Sequence, residues 1–270
     1  MKFTLGFSPC PNDTFIFDAL VNGNIDTLGY EFDIVMEDVQ TLNKWALEGK
    51  LDFSKVSYGV WPKLKDSYQL LKSGGALGKG VGPLLISHEA FEGSEEDLKN
   101  YVSNTIIAIP GEETTAHFLF SNAFPNAVNK EFKVFNEIES FVQDKKGLGV
   151  IIHENRFTYA QKGLYKLMDL GHFWETTTGA PIPLGGIVAK NNIDNEHIEA
   201  IDTLIKNSVK YSIDRYPYLS EFIIDNAQEM SEEVMRNHIE LYVNEFSIER
   251  GKTGDDAVTL MEKYFNVKKS

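Results

Sequence analysis

Six histidines, a single cysteine and several hydroxyl and amide side chains supply the groups that could do acid–base or nucleophilic chemistry in this 270-residue chain. His153 is the most informative of them. It stands where the apolar run Leu148-Gly149-Val150-Ile151-Ile152 stops, and a neutral imidazole at a strand end can take a proton as a general base. The plainer reading of the same position is a hydrogen-bonded histidine closing a strand. His88, His172, His197 and His238 lie in polar loop-like or helical settings and read as surface residues, whereas His117 lies in an apolar helix and reads as packed. No pair of histidines has the spacing of metal ligands, and Cys10 alone builds neither a disulfide nor a thiolate-rich centre, so no metal is expected. Cys10 itself, between Pro9 and Pro11, has nothing nearby in sequence to lower its pKa and reads as inert.

Two further groups point to an anionic ligand. Lys55 and Ser57 follow a strand expected near Leu51-Asp52-Phe53 and offer a cation and a hydroxyl. Thr114, Thr115 and Ala116 open a helix, where unbonded N–H groups and the positive end of the dipole suit a carboxylate. Simple capping by threonine explains the same residues, and Glu112 and Glu113 compete for that dipole. Asp38 reads as the cap of a helix beginning at Val39. The glycine-rich stretch Ser73 to Pro83 departs from a phosphate loop, because Gly80 and then a strand follow Lys79 where Ser or Thr and a helix are needed. It reads instead as backbone that must approach a ligand or another strand closely.

These groups have to be held by strands and helices in alternation. Phe3, Leu5 and Phe7 alternate as a strand does; Ser8 to Asp13 reads as irregular, with Asn12 or Asp13 capping a helix from Phe15 to Leu20. Tyr30 to Val35, Thr105 to Ile109 and Gly147 to Ile152 are further strands, Val39 to Gly49 is a helix, and Asp194 to Phe265 is mostly helical. Such alternation specifies an α/β architecture. With no low-complexity linker, the apolar stretches Pro83 to Ile86 and Ile182 to Ala189 are the expected crossovers. They divide the chain into a lobe made of 1–86 and 188–270 and an inserted lobe, 87–187, with the ligand expected in a cleft between the two.

The excess of 40 Asp+Glu over 26 Lys+Arg, a formal charge of -14, repels nucleic acid and anionic membrane surfaces. No signal-peptide pattern opens the chain and no apolar run nears the roughly 20 residues of a membrane span. A cytoplasmic protein with a small-molecule partner is expected.

Several motifs together resemble the 1,4-dihydroxy-6-naphthoate synthases of the futalosine route to menaquinone. They are Gly6-Phe7-Ser8-Pro9-Cys10-Pro11-Asn12-Asp13-Thr14-Phe15, Thr41 to Ala46, Lys55-Val56-Ser57-Tyr58, Ser73 to Pro83, Pro110-Gly111 with Thr114-Thr115-Ala116, Ile151-Ile152-His153-Glu154 with Arg156 to Tyr159, Gly179 to Gly186, and Tyr242-Val243-Asn244. The resemblance implies a two-lobed fold like that of type II periplasmic binding proteins, with a ligand cleft between the lobes. It implies a cofactor-free lyase that turns cyclic dehypoxanthinylfutalosine, a small-molecule carboxylate, into the naphthoate and dihydroxyacetone. By the same resemblance His153 is the proton acceptor, and Asn12, Lys55, Val56, Ser57, Thr114, Thr115 and Ala116 contact substrate. A chorismate dehydratase of the same route and a non-catalytic solute-binding protein share the expected fold. The Ser8 to Asp13 and Ile151 to Glu154 motifs favour the synthase, and the missing export signal counts against the binding protein.

Overall fold

The alternating residues Phe3, Leu5 and Phe7 lie in strand β1 (Lys2–Phe7), and the chain enters helix α1 (Pro11–Val21) after only three residues. That start corrects the expected cap at Asn12 or Asp13. Cys10 is the N-cap in extended conformation and Pro11 takes the first helical position, where a missing N–H costs nothing. Strand β2 (Glu31–Met36), helix α2 (Val39–Leu47), strand β3 (Phe53–Ser57), helix α3 (Trp61–Leu64) and strands β4 (Tyr68–Leu70) and β5 (Ala76–Gly78) follow. Asp38 caps α2 as expected, accepting from the Gln40 and Thr41 amides.

The computed structural model describes residues 1–227 and 231–267. They form two compact units, Met1–Gly78 with Pro183–Ser270 and Lys79–Ile182. The second unit holds β6 (Leu84–Ser87), α4 (Glu95–Ser103), β7 (Ile107–Ile109), α5 (Thr115–Ala123), β8 (Lys130–Phe132), α6 (Ile138–Gln143), β9 (Leu148–Ile151), α7 (Asn155–Thr158), β10 (Tyr165–Asp169) and α8 (Leu170–Thr178). The chain then returns through β11 (Ile182–Lys190), α9 (Asn195–Arg215), α10 (Glu221–Asn226), α11 (Glu232–Tyr242), α12 (Glu245–Ile248) and α13 (Gly251–Val267).

Each unit is built on a mixed sheet. The first runs β2-β1-β3-β11-β4 with β5 also on β11; the second runs β10-β6-β9-β7-β8. Pro83 to Ile86, expected as a crossover, therefore contributes β6 to the interior of the second sheet. In the first unit β1 is parallel to both β2 and β3, and in the second β7 is parallel to β9. The first core joins Leu5, Phe7 and Ile187 of the sheet to Ile16 and Phe17 of α1 and Ile201 and Ile205 of α9. The second joins Leu84, Ile86 and Ile151 to Ile138 and Val142 of α6.

Two sequence expectations are corrected by burial. Every residue of β3 is buried, so Lys55 and Ser57 lie within the strand rather than beyond it. Their polar groups are tolerated between β1 and β11 because each finds a partner, described below. His238 is wholly buried: with Met235, Ile239 and Tyr242 it forms the inner face of α11 at helical spacing, its ring edge-on to Tyr242 at 4.7 Å. His117 is packed as expected. Its Nδ1 lies 2.8 Å from the Glu112 carbonyl and its Nε2 3.1 Å from Lys130 Nζ, and desolvation holds the imidazole below its ordinary pKa. Among the described residues no helix is long and apolar enough to cross a membrane.

Candidate active site

In the first unit, Asp13 is the centre of a buried polar cluster. Its Oδ2 accepts from the Ser8 amide at 3.2 Å and the Ser8 hydroxyl at 2.8 Å, and its Oδ1 from Asn12 Nδ2 at 2.9 Å and Lys55 Nζ at 2.7 Å. Lys55 also donates to the Gly74 carbonyl at 2.8 Å. The Lys55 and Asp13 side chains are only 5% and 4% exposed, so the cation expected in the sequence is already balanced by a carboxylate. Two donors of the ammonium are used in this way and a third is left over. Ser57, at the end of β3, is held by both ends of the buried Asn43 amide: its N–H donates to Oδ1 at 2.8 Å and its Oγ accepts from Nδ2 at 3.0 Å. That leaves the Ser57 hydroxyl proton as a donor. Next along, burial pushes the Tyr58 phenol above its ordinary pKa, with the Arg250 guanidinium opposing the shift. Because β1 and β3 are adjacent and parallel, Ser8 to Asn12 and Ser57 leave the sheet at the same end, where open α/β sheets bind ligands.

The second unit repeats that geometry with different chemistry. β7 and β9 are adjacent and parallel, so the Pro110 to Thr114 loop and His153 emerge from one end. Thr114 is the N-cap of α5; its Oγ1 accepts from the His117 amide at 3.2 Å and donates to the Gly111 carbonyl at 2.9 Å. The capping alternative therefore describes its hydroxyl. The opening turn of α5, at Thr115 and Ala116, is the positive end of a helix dipole, a setting suited to an anion. His153 follows β9 with φ +55°, a left-handed conformation in a residue other than glycine. It is half-buried, and Phe135 packs edge-on to its ring at 5.2 Å. Strain of this kind costs about 1–3 kcal/mol and gathers at functional sites.

The turn after His153 is fastened on two sides. The buried Asn155 donates to Glu139 Oε2 at 2.7 Å, which also receives Lys162 Nζ at 2.6 Å. Arg156 donates to the Gly80 and Gly82 carbonyls and to Asp169. The glycine-rich stretch is thus held in two parts. In the first unit Asn244 Nδ2 donates to Leu77 O and Ser247 Oγ to Gly75 O, both at 2.8 Å; in the second, Arg156 takes Gly80 and Gly82. Backbone does approach closely there, but on a helix rather than on a ligand or a strand: a Cβ on Gly82 would lie 2.3 Å from the Gly171 Cα in the first turn of α8.

Asp13, Asn43 and Arg156 were not singled out from sequence as site residues. Each lies in a motif that was, and the available signal was a polar residue in an otherwise buried run. The structure gathers Asn12, Lys55, Val56 and Ser57 in the first unit and Thr114, Thr115, Ala116 and His153 in the second.

Residues 3–266 match the family model for menaquinone biosynthesis. The chain is 42% identical to a 1,4-dihydroxy-6-naphthoate synthase of Thermus thermophilus, over 94% of this chain and 90% of that one. It is 39% identical to the synthase of Streptomyces coelicolor, over 94% and 89%. The crystal structure of a protein from Archaeoglobus fulgidus superposes with TM-score 0.91 at 25% identity, covering 99% of this chain and 97% of that one. The periplasmic aliphatic sulphonate binding protein of Escherichia coli superposes at 0.64 with 9% identity, covering 99% and 92%, which establishes the type II periplasmic-binding-protein fold. With its motifs, its fold and its relatives in agreement along nearly the whole chain, this protein belongs to the menaquinone-biosynthesis family that includes the 1,4-dihydroxy-6-naphthoate synthases.

Proposed function

We propose that this lyase converts cyclic dehypoxanthinylfutalosine to 1,4-dihydroxy-6-naphthoate and dihydroxyacetone, with His153 as the general base. The observation that carries the reading is His153 itself. A half-buried imidazole in a strained left-handed turn at the end of β9 is costly to keep unless the ring is needed there. Proton removal by that ring starts elimination and ring opening, and aromatisation of the product supplies much of the driving force. In the second unit the positive end of α5 at Thr115 and Ala116 suits an anionic group; in the first unit the Ser57 hydroxyl and the third donor of Lys55 offer charge-assisted binding. Asn12 and Val56 complete the proposed contacts. Local donors of this kind are required because the chain's net charge of -14 opposes an anion at long range.

Purified protein incubated with cyclic dehypoxanthinylfutalosine should yield the naphthoate by mass spectrometry, and chorismate offered in its place should be returned unchanged. Dehydration of chorismate with no naphthoate formed would assign the chain to the other enzyme of the pathway. Tight binding of either compound with no turnover would make it a solute-binding protein.

A further inference from the structure

Resting on that reading of His153, we infer that Arg156 is the positioning residue of the base: it locks the turn carrying the imidazole to the loop Lys79–Pro83 and to the start of α8. The connections all lie inside the second unit. The Arg156 amide donates to the His153 carbonyl at 3.3 Å, closing the turn. Its guanidinium then reaches three acceptors: Nη1 bonds the Gly82 carbonyl, and Nη2 bonds the Gly80 carbonyl and Asp169 Oδ2, both at 2.9 Å. Asp169 is fixed in turn, its Oδ1 accepting from the Gly171 and His172 amides at 2.9 and 3.0 Å as the cap of α8. Glu175, one turn further along α8, accepts from the Gly80 amide at 2.6 Å. Gly82 packs backbone to backbone on Gly171, so the loop has no slack of its own.

The arrangement is more than a surface ion pair. Arg156 and Asp169 are only 16% and 18% exposed, and a planar fork satisfying two carbonyls and a carboxylate fixes direction as well as distance. On the other flank Asn155 ties the turn to Glu139. His153 stands two residues ahead of the first of them in a conformation its own backbone disfavours. Without Arg156 one restraint on that turn is gone. The imidazole would then sample directions that do not reach the substrate proton, while the donors that bind the substrate stay where they are.

The test compares Arg156→Ala, Arg156→Lys, His153→Asn and the double variant Arg156→Ala/His153→Asn, each checked for folding by circular dichroism and melting. Misplacement of a catalytic group by about 1 Å costs roughly 10²-fold, so kcat of Arg156→Ala should fall by about that factor with KM changed within about threefold. Arg156→Lys, which keeps a cation for Asp169 but loses the fork, should lose about tenfold, and it decides the matter if the alanine variant does not fold. Millimolar guanidinium should restore part of the turnover of Arg156→Ala and none to His153→Asn. In the His153→Asn background the Arg156→Ala change should cost nothing further, because its effect passes through the ring already removed.

Near wild-type kcat in folded Arg156→Ala, a rise in KM alone, or multiplying losses in the double variant would overturn the inference. If His153→Asn is crippled while Arg156→Ala is not, only the positioning role fails. If folded His153→Asn turns over normally, the base assignment fails and the positioning role with it.

Discussion

Lys55 and His153 are both polar residues set by a sheet, one inside a buried strand of the first unit and the other just past a strand of the second, yet they are kept in place by opposite means. Lys55 is embedded in a cluster where Asp13 takes four hydrogen bonds and the Gly74 carbonyl a fifth. Its position follows from satisfied polar groups in a low-dielectric interior, where any movement leaves a charge without its partner. His153 is only half-buried, and its backbone stands in a disfavoured region. Its position follows from what surrounds the turn: Phe135 against the ring, and Asn155 and Arg156 fastened to other elements. The difference teaches that one protein can fix a polar side chain by saturation or by restraint. Saturation makes a rigid but nearly closed group. Restraint leaves the side chain only half-buried, at a cost in stability.

Changes that separate these two modes should differ in what they damage. The largest effect is expected from His153→Asn. Asparagine tolerates the left-handed conformation, so the fold should persist while turnover falls about 10²–10⁴-fold, or about 3–5 kcal/mol of barrier. Steady-state kinetics on the folded variant checks this, and more than about a tenth of wild-type turnover would exclude the role.

Asp13→Ala should act on stability instead. Leaving Lys55 buried and unpaired costs about 3–5 kcal/mol, to be read from urea denaturation. Replacing the pair together, as Asp13→Leu with Lys55→Met, should recover most of that stability. If activity returned along with it, Lys55 would be scaffold only; activity still lost would place its third donor on the substrate. Asn43→Ala is expected to cost less, about 1–3 kcal/mol, because it strips two bonds from Ser57 and leaves a buried amide unsatisfied. The mildest change is Cys10→Ser. The thiol is buried and no thiolate step is required, and serine is itself a good N-cap, so most turnover should remain; its loss in a folded variant would draw Cys10 into the chemistry.

The sequence made the strand–helix alternation readable because apolar periodicity is local. It placed His153 at a strand end, Asp38 at a helix start and Thr114 as a cap for the same reason. The partners of these residues were not readable. Lys55 meets Asp13 across 42 positions and Arg156 meets Gly80 across 76, and such pairs exist only once the sheets have formed. Lys55 reads as lying beyond its strand because a polar residue in a short segment signals a loop until its buried partner is known. His238 was placed on the surface for a related reason: one polar residue on the inner face of an acidic helix is outweighed by its neighbours when composition is read alone. The left-handed turn at His153 is only weakly marked in the sequence, since histidine is enriched in that region but adopts it far less often than glycine.

The contact between Gly82 and Gly171 has a mechanical meaning. Where side chains meet, a shift of a few tenths of an ångström is absorbed as one of them turns about a bond or slips into a neighbouring rotamer. Two bare Cα atoms have no such compliance. A Cβ on either glycine would lie under 3 Å from the other backbone, so neither position admits even alanine without displacing the chain. The pair behaves as a stop rather than a spring. A movement at the first turn of α8 reaches the Gly82 carbonyl undamped, and through it the guanidinium that Arg156 sets there.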